Sequence, residues 1–227
     1  MSARRSCSLA VLAATLFATS AQAALIGRLP DAFGVYQAVY DSALDITWLA
    51  DANYAATSGY ADDGRMKWGA AQGWIGALNA SAHLGFGDWR LPHSDGCSGY
   101  GCTGSELGQL FYTGFGGVAG YGAPVPALDH PNLSLFANVQ TSGTYWSGTE
   151  YLADAHWAFE FGPYDAGRQI YYPDFYKFHA WAVRDGDVVA AAPRVVSEAM
   201  AVPLPAAAWL FGGGIGALFV LSRNRAD

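Results

Sequence analysis

The closing apolar run, Ala206-Ala-Ala-Trp-Leu-Phe-Gly-Gly-Gly-Ile-Gly-Ala-Leu-Phe-Val-Leu221, constrains this chain more than any other stretch. Exposed to water it would form an apolar patch beyond what a soluble monomer tolerates. Its 16 residues reach about 24 Å at helical rise, against a hydrocarbon core of about 30 Å. Residues 200–205 and Ser222 bring it near spanning length, so a transmembrane helix is expected over 206–222. Arg223 and Arg225 would hold that end on the cytoplasmic side. At the other end, Arg4 and Arg5 precede an apolar stretch over 9–18 and an Ala21-Gln22-Ala23 cleavage site, which places the mature start at Ala24. The expected organisation is a signal peptide over 1–23, an extracytoplasmic domain over 24–189, a small-residue linker over 190–201 and a membrane-inserting tail over 202–227.

Once Arg4 and Arg5 leave with the signal peptide, 10 basic residues face 19 acidic ones, about −9 in net charge. Nucleic acid, which selects basic surfaces, is therefore excluded as a partner. Cys7 departs as well, leaving Cys97 and Cys102 around Ser-Gly-Tyr-Gly. In an oxidising compartment that pair predicts a disulfide closing a small loop.

The domain reads as α+β, with two helices followed by antiparallel strands. Alternation predicts strands over 35–40 and 46–49, and polar 51–64 reads as loop. A helix is predicted over 67–84, with Trp68, Ala71, Ile75, Leu78 and Ala82 on one face and Gly85 ending it. A shorter helix follows the cysteines, with Thr103 and Glu106 as a capping box and Leu107, Leu110 and Phe111 turned inward. Strands are expected over 144–147, 156–161 and 177–184, with Trp146, Trp157 and Trp181 in the core. Asp88 and Arg90 flank Trp89 and are expected to pair, locking the turn after the helix.

Catalytic motifs are not found: no Gly-x-Ser-x-Gly, no His-Glu-x-x-His, no phosphate-cradling Gly-Lys-Ser/Thr. His83, His93, His130, His156 and His179 lack metal-ligand spacing. No cofactor is expected, calcium being the one candidate, gathered by Asp51, Asn53, Asp62 and Asp63 without EF-hand spacing. The residues with binding character are Tyr164, Tyr171, Tyr172 and Tyr176, joined by Phe175, in a Pro/Gly/Asp-rich stretch over 162–177 read as loop. Such rings either pack the loop onto its own domain or offer faces to sugar CH groups, with carboxylates and amides taking the hydroxyls.

Two resemblances add to this. Val202-Pro203-Leu204-Pro205-Ala206, the apolar helix and the terminal basic cluster resemble the VPLPA form of the PEP-CTERM sorting signal. The resemblance implies an exosortase-type processing enzyme as partner. It also implies an inner-membrane-anchored precursor that is passed to the envelope or cell surface, in the setting of exopolysaccharide and biofilm. The elements around Asp41, Trp48, Asp88-Trp89-Arg90-Leu91-Pro92, Glu106-Leu107, Tyr145-Trp146-Ser147 and Ala180-Trp181-Ala182-Val183-Arg184 occur in the order of the Lcl_C family, named for the C-terminal domain of a Legionella collagen-like adhesin. That similarity implies a C-type-lectin-like fold and no catalytic residues. Its best-known member binds sulfated glycosaminoglycans; this acidic chain, without a collagen-like repeat, departs from that pattern. The function implied is a noncatalytic surface or matrix protein binding polysaccharide; the alternative is a purely structural, self-assembling envelope protein.

Overall fold

Short polar turns set the first sheet. Asp31 Oδ1 accepts the N–H groups of Phe33 and Val35 and reverses the chain between β1 (Leu25–Pro30) and β2 (Tyr36–Asp41). Asp41 Oδ1 accepts from Ala43 and Leu44 and turns β2 into β3 (Ile46–Leu49). The computed structural model describes residues 24–122 and 130–189. The cleavage site, the linker and the tail with its 202–206 motif fall wholly or partly outside the described residues. Among those described, no helix is long and apolar enough to cross a membrane.

Two sheets carry the fold. The first runs β1-β2-β3-β10, all antiparallel, where β10 (Val183–Asp185) returns from the far end of the domain to pair with β3. The second runs β4-β9-β6-β7-β8-β5. Its strands are β4 (Arg65–Met66), β5 (Gly99–Tyr100), β6 (Thr144–Leu152), β7 (Ala155–Glu160), β8 (Arg168–Pro173) and β9 (Phe178–His179). Among the described residues three α-helices join them: α1 (Tyr54–Thr57), α2 (Trp68–Ala80) and α3 (Glu106–Gln109). The architecture is α+β with mostly antiparallel strands, as read from the sequence.

Tryptophan builds the core and also ties it together. Trp48, Trp74, Trp146 and Trp181 are fully buried. Trp181 packs edge-on to Trp48 and Phe136 at ring separations of 5.2 and 5.3 Å. Several indoles reach backbone carbonyls far along the chain: Trp181 Nε1–H donates to Leu49, Trp146 to Met66 and Trp68 to Ser147, at 2.7–2.8 Å. Each such ring buries apolar area and satisfies a carbonyl that burial would otherwise strand.

Several local expectations are corrected. Helix α2 ends at Ala80, not near Gly85, because Ala82 takes a left-handed conformation (φ 47°) and lies exposed instead of extending the apolar face. Ser105, not Thr103, caps α3, accepting from the Gly108 N–H. Glu106 is instead drawn into an ion-pair network. Asp88 and Arg90 do not pair with each other. Asp88 meets Arg184 in a two-pronged contact at 2.8 Å, and Arg90 meets both Glu106 (2.8 Å) and Asp185. Asn79 clamps Trp89 by accepting its N–H and donating to its carbonyl, so the Asp-Trp-Arg-Leu-Pro segment is stitched to α2, α3 and β10 together. The predicted disulfide is present, Cys97–Cys102, its short loop closed through Gly99 and Gly101 at positive φ.

Candidate functional site

Where β4, β9 and β6 meet at one edge of the larger sheet, a cleft of about 380 Å³ opens. The register places Arg65 opposite His179, so both side chains lie on one face. Asp63, Gln140, Thr144 and Lys177 complete the polar lining, and Phe178 supplies an apolar wall. The Asp63 carboxylate accepts from the Arg65 backbone N–H and from its guanidinium. The hydrogen bonds from Arg65 hold the Asp63 carboxyl below the usual range. Lys177 has no carboxylate partner among the described residues.

His179 is buried in the floor, its Nδ1 3.4 Å from Asn53 Oδ1. Burial, with the positive charge of Arg65 acting in the same sense, depresses its pKa to about 4, so the ring is neutral near pH 7. Gly143 is needed beside it: a Cβ there would lie 2.8 Å from His179 Cδ2. At neutral pH the cleft thus holds one carboxylate, two cations and several uncharged hydrogen-bonding groups. The Thr144 hydroxyl of its lining donates to the Glu160 carboxylate at 2.6 Å.

The tyrosines singled out from sequence do not form one surface, and the stretch over 162–177 is not all loop, since it contains β8. Successive residues of a strand face opposite ways, and this separates Tyr171 from Tyr172. Tyr171 stacks on Tyr151 at 4.0 Å, with Trp157 edge-on. Tyr172 turns to the other side, where its hydroxyl donates to Glu160 and its ring meets Tyr176 at 5.4 Å and Phe178 at 4.8 Å. Tyr164 stands apart beside Tyr121, largely exposed. Tyr172 and Tyr176 therefore gather on Phe178, which lines the cleft, without lining it themselves. Phe175, Tyr176 and Phe178 form a stepped row, with ring separations of 4.9 and 5.8 Å and near-parallel planes.

Three of the four calcium candidates, Asp51, Asn53 and Asp63, are engaged in other contacts. Asp51 accepts from Asn53, Thr57 and Asn138, Asp63 holds Arg65, and Asp62 is exposed. Among the described residues no cluster of three or more His, Cys, Asp or Glu side chains could hold a metal ion. Sequence reasoning missed Arg65, Gln140, Thr144, Lys177 and His179 as a set. They come from three separate segments, and the alternation of Lys177 and His179 about Phe178 was the one local trace of their shared face.

A family model, that of the Lcl C-terminal domain, matches residues 37–184, from β2 into β10. No curated protein and no solved structure matches the chain.

Proposed function

The chain belongs to the Lcl C-terminal domain family, and from that premise we propose that it is an exported, noncatalytic surface or matrix protein whose domain binds polysaccharide in the cleft beside β9. The family is a non-enzymatic one with an extracellular or surface setting. One observation carries the choice of ligand: a row of near-parallel rings, Phe175, Tyr176 and Phe178, adjoins through Phe178 a cleft lined by uncharged and charged hydrogen-bonding groups. Sugar rings need that combination, CH faces on aromatic rings and hydroxyls on amides, hydroxyls and carboxylates. Lys177 and Arg65 against a single carboxylate leave a small positive excess on an otherwise acidic chain, which suits polymers carrying occasional carboxylates. A C-type-lectin-like fold belongs to the same reading, supported by the first strands and the last sharing one sheet. So does sorting of the precursor by an exosortase-type enzyme, supported by the order of motif, apolar run and basic end.

Pull-down of full-length protein on neutral and uronic-acid-containing exopolysaccharides tests the binding. We expect retention, weakened at least fivefold by Tyr176→Ala and by Lys177→Ala and unchanged by Tyr164→Ala. Retention on no polymer, together with discrete oligomers in solution, would establish the self-assembling alternative instead.

A further inference from the structure

The turn that leads into β4 sets a carboxylate and a guanidinium side by side on the lining of the cleft. Asp63 Oδ1 accepts the Arg65 backbone N–H at 2.9 Å, which fixes the turn. Its other oxygen, Oδ2, accepts from both Nε and Nη2 of Arg65, at 2.8 and 2.6 Å. The two oxygens thus have separate tasks: one shapes the backbone, and the other holds the side chain. Both side chains stay more than half exposed, 53% for Asp63 and 56% for Arg65, so a bound polymer reaches either.

Two further contacts tie this pair to the cleft. The β4–β9 register sets Arg65 opposite His179, and besides burial the charges of Arg65 and Asp63 act on that imidazole in opposite senses. A Cβ on Gly143, itself part of the lining, would strike the same ring. The other charged groups nearby are few. Lys177 lines the cleft without a carboxylate partner among the described residues. Glu160 lies behind Thr144, its two oxygens taken by the hydroxyls of Thr144 and Tyr172. Of the two cations on the lining, then, Arg65 is already neutralised by a neighbour and Lys177 is open.

On the reading of this cleft as a polysaccharide site, on which this inference rests, we propose that Asp63 is its specificity-determining residue: by holding Arg65 it leaves Lys177 as the cation open to a ligand and confines the site to polymers whose carboxylates are widely spaced. A ligand carboxylate on Lys177 meets no conflict. A second one, on the next sugar, arrives beside Asp63, where it must displace that carboxylate from Arg65 or lie against a like charge. Asp63→Asn separates the two tasks of the side chain. The amide oxygen still accepts the Arg65 N–H and keeps the turn, whereas an NH₂ group in place of Oδ2 releases the guanidinium. Arg65 is then free to grip a ligand carboxylate with two parallel hydrogen bonds.

The test compares binding of the full-length protein to gellan, whose carboxylates are widely spaced, and to polygalacturonate, which carries one on every sugar, in buffer free of divalent cations. The native protein should prefer gellan. Asp63→Asn should raise affinity for polygalacturonate by about fivefold or more at low ionic strength and leave affinity for gellan within about twofold, with a steeper loss on adding salt. Adding Arg65→Gln should cancel the gain, which shows that it came through the guanidinium and not through a loosened turn. Native protein retained on neither polymer would remove the polysaccharide reading and this proposal with it. Retention on gellan combined with an unchanged polygalacturonate affinity in Asp63→Asn, or with a gain that survives Arg65→Gln, would overturn the role of Asp63 alone. A native preference for polygalacturonate would do the same.

Discussion

Removing the Arg90 guanidinium should be among the most damaging single changes outside the aromatic core. Arg90 forms parallel hydrogen bonds to both Glu106 oxygens at 2.8 Å and also reaches Asp185. Its side chain is 22% exposed and that of Glu106 13%, whereas that of Asp185 is 80% exposed. Burial works against the charge on Arg90, and the two carboxylates outweigh it, leaving its pKa raised. Breaking a buried pair by deleting one partner costs about 3–5 kcal/mol. Partial exposure, and the His93 N–H that still donates to Glu106, reduce that here to about 2–3 kcal/mol. For a domain of this size the melting temperature of Arg90→Met should fall by about 5–10 °C. Asp185→Asn should cost less than about 1 kcal/mol, because the partner is solvated. In a urea-unfolding cycle, Arg90→Met combined with Glu106→Leu should cost clearly less than the sum of the single changes, with coupling of about 1.5 kcal/mol or more. Arg90→Met within experimental error of the native protein, or strictly additive single changes, would refute the reasoning.

Two further outcomes follow. His179 has a folded pKa near 4 against an ordinary 6.5, so the unfolded chain binds the proton more readily. Stability should then be full above pH 6.5 and fall toward pH 4, on the order of 2 kcal/mol from this residue. Burial lowers the pKa of His83 and His156 too, adding the same sign. His179→Gln should therefore flatten the fall in urea midpoint between pH 7 and 4.5 only in part, and an unchanged slope would contradict it. In the tail, replacing Pro203 and Pro205 should block maturation, seen as accumulation of the longer precursor on immunoblots; unchanged processing would count against exosortase recognition.

What the sequence revealed, and what it hid, divides by distance along the chain. Apolar alternation marked β2 and β3, and the tryptophans proclaimed their burial because little else fits a core of that size. The disulfide was legible because both cysteines and the glycines between them lie in one short segment. Strand β1 was missed, its apolar residues interrupted by Gly27 and Arg28. Strand β8 was missed because Gly, Pro and Asp around it read as loop, and the neighbouring tyrosines it sends to opposite faces then read as one patch. Helix α2 was drawn too long because the 3.6-residue period runs on through Ala82, while only the backbone conformation there shows the chain leaving the helix. Arg90 found partners 16 and 95 residues away instead of two, a choice set by tertiary packing that no local pattern records. The cleft beside β9 was hidden for the same reason.

The return of β10 to β3 has a consequence for how the molecule is made. The smaller sheet consists of the first three strands and the last, and Arg28 is held by Asp187, 159 residues on, at 2.7–2.8 Å. Trp181, whose ring and indole N–H join Trp48, Tyr145 and Leu49, also arrives late. A chain delivered amino end first therefore holds three strands with an open edge and a core lacking its central ring until nearly the whole domain has emerged. Such long-range closure makes folding slow. Were the chain carried through a narrow pore, as the proposed export requires, that delay would keep the domain threadable until its final strand is across.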